Sequence, residues 1–188
     1  QDEMDDTRRW LFERAVANPN ARRIFIEGNH EDRIRRFLWK QAPALSSLRS
    51  LSLPELLGFD ELKMEHLNYN SRVNLLGFLI EHGYKSSGGG VYTNAVAPLM
   101  ARNVGSSGMC GHTHRLGAFH FTTSKGSHTY YENGCLCITQ LEYKAFPNWQ
   151  HGFSIGVVYK NKIHINQISI FPDGFVANGE FYPVLRRR

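Results

Sequence analysis

Arg23-Ile24-Phe25-Ile26-Glu27-Gly28-Asn29-His30-Glu31, residues 23–31, is the stretch from which the rest of the chain is read. Its first half is a short apolar run rich in β-branched and aromatic side chains, the pattern of a strand buried in a parallel sheet. Its second half stops that strand at a glycine, where the backbone can turn sharply, and then offers an amide, an imidazole and a carboxylate in succession. In open α/β sheets ligands bind at the carboxyl ends of the strands. A polar triplet at that place is therefore a candidate site.

Upstream, Met4, Thr7, Leu11 and Ala15 recur at helical spacing, with acidic residues in the first turn, and Asn18-Pro19-Asn20 stops the helix. Downstream, Ile34, Phe37 and Leu38 predict a second helix. The Ser-, Leu- and Pro-rich segment 41–67 predicts short helices around Pro43 and Pro54. Residues 74–81 (NLLGFLIE) predict another buried strand, ending at His82-Gly83. A loop, Ser86-Ser87-Gly88-Gly89-Gly90, then leads into a helix over about 93–102, and a third short strand, Gly108 to Cys110, ends at Gly111-His112-Thr113-His114. Beyond it the pattern is strands alone, at 116–123, 128–138, 153–159, 163–170 and 175–182, with turn signals at Lys125-Gly126 and Lys160-Asn161. Alternating strands and helices followed by antiparallel strands predict an α/β protein built as a layered sandwich of sheets flanked by helices. No internal repeat or low-complexity segment interrupts it.

With 188 residues, 41% of them apolar, the chain fits one domain, 1–188, with a real core. Lys and Arg number 22 against 17 for Asp and Glu, a net +5 that suits a polyanionic or phosphorylated partner. The Arg186-Arg187-Arg188 run reads as a solvated tail. No stretch approaches the roughly 18 consecutive apolar residues of a membrane span, and no signal-peptide pattern opens the chain. Three cysteines, Cys110, Cys135 and Cys137, are too few for a secreted disulfide framework. These features predict a cytoplasmic protein with no membrane partner. The opening QDEMDDTRRWLFERA lacks an initiator Met and is already helical in pattern, which reads as an interior cut.

Three polar clusters thus follow three predicted strands: Gly28-Asn29-His30-Glu31, His82-Gly83 and Gly111-His112-Thr113-His114. Their residue types suit a divalent metal working on phosphate, because imidazole accepts Zn, Fe or Mn and an amide oxygen is a neutral, hard ligand. In an extended segment His112 and His114, two apart, would project from one side and reach adjacent metals. A rival is a structural zinc held by Cys110, His112, His114 and Cys135, although that spacing matches no zinc ribbon or finger and buried thiols are commoner. Arg33, Arg35 and Arg36 follow the first cluster. One of them, Arg33, is read as a phosphate contact and the others as a solvated helix face. The Ser86–Gly90 loop offers backbone amides to an anion but lacks the Lys-Ser/Thr ending of a P-loop. His66, His120, His128, His151 and His164 receive no function, and Phe146, Trp149, Phe153, Phe171, Phe175 and Phe181 read as core.

In their order and residues, GNHE at 28–31, HG at 82–83 and GHTH at 111–114 resemble the last three of the five blocks that mark calcineurin-like metallophosphoesterases. The resemblance covers about residues 20 to 135. It implies a layered α-β-β-α sandwich of two mixed sheets and a hydrolase of phosphate mono- or diesters. It also implies two divalent ions (Mn, Fe, Zn or Ni) with a bridging water. Asn29, His82 and His112 would hold one ion and His114 the other. His30 would protonate the leaving oxygen, with Glu31 orienting it. The family's first two blocks, an Asp-x-His and a Gly-Asp, have no counterpart: Asp2, Asp5, Asp6, Asp32, Asp60 and Asp173 stand in neither context. The expectation is an active parent protein, of which this chain lacks the first strands and keeps at most one well-formed ion site, with little activity alone. The positive balance favours nucleic acid or nucleotide as substrate. The alternative is a non-catalytic metal- or nucleic-acid-binding module on the same scaffold.

Overall fold

In the computed structural model residues 2–83, 97, 101, 105–137, 139 and 147–184 are described. They belong to two units, Gln1–Ser71 and Arg72–Arg188.

In the first unit, α1 (Asp2–Ala17) forms where the periodicity predicts it. Leu11 is buried with Leu57, Phe59 and Leu62, and Met4, Ala15 and Phe25 pack against that cluster. The end of α1 is tied to the following strand, β1 (Arg23–Ile26). The Arg23 guanidinium donates to the carbonyls of Ala15, Asn18 and Pro19 at 2.7–3.1 Å, satisfying acceptors that a helix terminus leaves open. After β1 come α2 (Asp32–Gln41), two 3-10 turns at Pro43–Leu45 and Arg49–Leu51, and α3 (Leu53–Leu57). The short helices around Pro43 and Pro54 are therefore present. A strand that the sequence reading lacked, β2 (Met64–Leu67), pairs parallel with β1 from Arg23↔Met64 to Ile26↔Leu67. Exposed Arg22 and Glu65 bridge the pair through two hydrogen bonds of 2.7 and 2.8 Å.

The second unit holds two sheets. One has five strands in the order β3-β4-β5-β7-β6: β3 (Arg72–Leu75), β4 (Phe78–Glu81), β5 (Gly108–Cys110), β6 (Leu116–Thr123) and β7 (Gly126–Asn133). Pairing is parallel for β4/β5 and β5/β7 and antiparallel for β3/β4 and β6/β7. The other is antiparallel, β11-β10-β9-β8, made of β8 (Gly152–Tyr159), β9 (Lys162–Phe171), β10 (Gly174–Ala177) and β11 (Glu180–Pro183). Tyr130 and Cys110 are buried with helical Ala97 and Ala101, flanked by Phe119 and Phe121. The chain is thus a mixed α and β protein with three sheets among the described residues. No helix among them is long and apolar enough to cross a membrane. The Ser86–Gly90 loop, the rest of the 93–102 helix, Phe146 and Arg186–Arg188 lie outside the described residues.

Three expected strands are corrected. Residues 74–81 form the end of β3, a turn and β4 of a hairpin, because Leu76 (φ 53°) and Gly77 (φ 82°) are both left-handed and Asn74 Oδ1 accepts the Gly77 N–H at 2.9 Å. Two consecutive left-handed residues make the primed turn that matches strand twist. Residues 175–182 divide likewise at Asn178-Gly179 (φ 52° and 81°). The 128–138 strand ends early, at Asn133. There Gly134 has φ 72° and the Gln150 and Gly152 carbonyls lie 3.1 Å from where a Cβ would stand.

Candidate metal centre

β4 and β5 run parallel in register, Leu79↔Gly108, Ile80↔Met109 and Glu81↔Cys110. The residues that leave their carboxyl ends, His82 and Gly111-His112, therefore emerge at one level of the sheet. Close approach is possible because Gly108 has no side chain: a Cβ there would meet the Leu79 carbonyl at 2.6 Å and the Tyr130 ring at 2.7 Å.

His82 Nε2 lies 3.1 Å from His112 Nδ1, with the rings edge to face and centroids 4.9 Å apart. The Thr113 N–H reaches back to the Gly111 carbonyl at 2.6 Å, a three-residue turn with His112 at φ 61°. His114 is also left-handed, φ 59°, a region that His enters more readily than most residues. The segment is consequently not extended, and the sequence expectation of two rings on one side is corrected. The His112 ring goes to His82, whereas the His114 ring meets Trp149 edge to face at 4.4 Å and the Cys137 thiol at 3.8 Å from Nδ1.

The strands that lead to this edge also carry carboxylates. In register across three strands stand Glu81, Cys110 and Glu132. Glu81 accepts the Tyr130 hydroxyl at 2.6 Å and Arg72 Nε–H at 2.7 Å. Glu132 is buried, and its Oε1 has no hydrogen-bond partner. Burial first, and then Glu132 and Glu81, push the Cys110 thiol far above its ordinary range. Burial and the bond to Glu81 raise the Tyr130 hydroxyl likewise. The site thus presents two imidazole nitrogens at the end of a sheet whose strands carry Glu81 and Glu132. Two donors about 2.1 Å from one ion sit roughly 3.0–3.4 Å apart, so the His82–His112 pair fits a divalent cation.

The first cluster belongs to the other unit. Glu31 Oε2 accepts the Gly28 N–H at 2.7 Å, so this carboxylate closes its own turn. The His30 ring is exposed and faces Arg33, whose Nη2 is 3.4 Å from His30 Nε2. Both line a cleft of about 340 Å³ with Glu31 and Thr7. Arg35 and Arg36 pair with Asp32, whose side chain is 2% exposed. Of the three arginines, those two clasp a carboxylate and Arg33 lines the cleft. Glu27, also buried, meets His66 Nε2 at 2.9 Å.

The structure gathers a group that the sequence reading drew differently. His114, Cys135 and Cys137 place one donor atom each within 4.8 Å of one another. The rival zinc set of Cys110, His112, His114 and Cys135 is not assembled, since Cys110 is buried in the core, as a buried thiol would be, and His112 turns to His82. Burial, and then the neighbouring Cys137, push the Cys135 thiol up to about 11.

No protein-family model matches the chain. It is similar to Gene 54 protein of Mycobacterium phage D29, at 31% identity over 170 residues that cover 84% of this chain. The chain spans 65% of that relative's length.

Proposed function

We propose that this chain carries the C-terminal metal-binding part of a calcineurin-like metallophosphoesterase, a hydrolase of phosphate mono- or diesters on a layered α-β-β-α sandwich. The observation that carries the reading is the His82–His112 pair, 3.1 Å apart at the ends of two in-register parallel strands. Three motifs in family order, GNHE, HG and GHTH, add to it.

In this reading His82 and His112 hold one ion and His114 serves a second, and the resemblance gives Asn29 the role of a metal ligand. Two divalent ions, when bound, would polarise the phosphoryl oxygens and lower the pKa of a bridging water. His30 gives a proton to the leaving oxygen. Arg33, lining the same cleft, brings positive charge to the phosphate. Glu31 acts on the turn and not on the imidazole, as its bond to Gly28 N–H supports. The net +5 favours nucleotide or nucleic-acid esters as substrates, and free thiols at Cys110, Cys135 and Cys137 suit the cytoplasm.

Hydrolysis of bis-p-nitrophenyl phosphate and p-nitrophenyl phosphate with added Mn²⁺, measured on this chain and on the full parent protein, tests the proposal. Activity that drops to background in His112→Ala supports it. A folded, metal-loaded parent protein that cleaves neither these nor nucleotide esters overturns it, in favour of a metal- or nucleic-acid-binding module.

A further inference from the structure

We propose that His114, Cys135 and Cys137 form a thiophilic metal site, suited to Zn²⁺, that is separate from the His82–His112 pair. The placement comes from strand register. β6 and β7 pair antiparallel from Thr123↔Gly126 to Leu116↔Asn133, and the Gly134 N–H continues the ladder to the Arg115 carbonyl at 2.5 Å. One residue further along each arm, beyond the last paired residues, come His114 and Cys135. Cys137, two residues on, comes back towards the imidazole, with its sulfur 3.8 Å from His114 Nδ1.

A third segment fixes the arrangement without any ion. Gln150 donates its N–H to the His114 carbonyl at 2.8 Å and accepts the Cys135 N–H at 3.0 Å. His114 and Cys135 are thus hydrogen-bonded to one residue, and Trp149 supports the imidazole from its edge. In a tetrahedral zinc site, nitrogen and sulfur donors stand about 3.6 Å apart and two sulfurs about 3.8 Å. The three donors here, all within 4.8 Å, need only small rotations to meet that geometry. His114 and Cys135 are half-buried and Cys137 is exposed, so an ion has a path in. Two thiolates and one imidazole select a softer ion than the all-nitrogen pair does. They also leave a fourth position open to solvent.

The proposal does not rest on the phosphoesterase reading, which uses His114 but neither cysteine. Its test is Co²⁺ titration of the reduced full chain, followed by thiolate-to-cobalt charge transfer in the near ultraviolet, with Zn²⁺ competition against a chromophoric chelator. The expected result is a charge-transfer band that saturates at one Co²⁺ per chain and is displaced by Zn²⁺. Cys135→Ser and Cys137→Ser should each remove about half of its intensity and weaken Zn²⁺ at least about tenfold, a ligand being worth no less than an outer-shell partner. His82→Ala should leave the band in place. Far-ultraviolet circular dichroism checks that each variant is folded. Co²⁺ binding with no thiolate band, or a band that survives Cys137→Ser and disappears in Cys110→Ala, would overturn the site. Phosphoesterase activity of the parent protein that survives Cys137→Ser would leave the other reading standing whichever way the cobalt result falls.

Discussion

The turn Gly28–Glu31 after β1 and the turn Gly111–His114 after β5 both follow a short strand with glycine and then imidazole, but different interactions hold them. In the first, carboxylates perform structural work: Glu31 caps Gly28 and Asp32 gathers Arg35 and Arg36. In the second, left-handed His112 and His114 bend the chain, the Thr113 hydroxyl accepts the Arg115 N–H at 3.4 Å, and the two imidazoles meet other nitrogen and sulfur atoms. Carboxylates in the first turn hold the backbone, whereas imidazoles in the second meet other nitrogen and sulfur atoms.

The largest expected effect tests that contrast directly. His112→Ala should weaken Mn²⁺ binding at least about 100-fold, roughly 3 kcal/mol, whereas His30→Ala should change it less than about twofold, measured by titration calorimetry. Equal losses from the two variants would break the comparison. Next, Asp32→Ala should destabilise the chain by about 2–3 kcal/mol in urea unfolding, since it removes a buried carboxylate from two charge-assisted hydrogen bonds. Metal affinity should stay as it was. A stability change below about 0.5 kcal/mol would mean that the first turn is held otherwise. Gly108→Ala should cost about 1–3 kcal/mol, because the new methyl meets the Leu79 carbonyl and the Tyr130 ring. It should also weaken metal binding by shifting β5 against β4. The smallest effect is Glu31→Gln, about 0.5–1 kcal/mol, as a charge-assisted acceptor becomes a neutral one. Hydrolysis of an alkyl phosphoester by the parent protein should be nearly unchanged in Glu31→Gln. A large fall there would restore Glu31 as the group that orients His30.

Where one strong pattern governed a segment, the sequence could be read. The period of Met4, Thr7, Leu11 and Ala15 marks α1, and the turn signals at Lys125-Gly126 and Lys160-Asn161 mark the two longest hairpins. It misled where a left-handed pair was hidden in apolar residues. Leu76-Gly77 reads as the middle of a strand because Leu seldom adopts positive φ, and the Asn74 side chain that stabilises this turn is a weak signal. The strand β2 was missed because Met64-Glu65-His66-Leu67 alternates too briefly, and its parallel partner β1 is remote in sequence. In the site, the carboxyl-edge positions of His82 and His112 follow from strand ends alone. That the His112 and His114 rings diverge does not, since it depends on two backbone dihedral angles. The rival zinc set already grouped His114 with Cys135, and Cys137 was within reach: once a turn is placed near Lys125, folding the sequence back on itself brings His114 towards both cysteines.

That folding back has a consequence for how the gene can change. His114 and Cys135 are equidistant from the tip of the β6–β7 hairpin, so codons added or lost at the tip alter only a loop. A single codon removed from either arm would slide the ladder by one step and turn every side chain beyond it to the other face. Gly134 or Leu136 would then stand opposite the imidazole. Inheritance can therefore edit the tip of this hairpin freely, while its two arms must change length together.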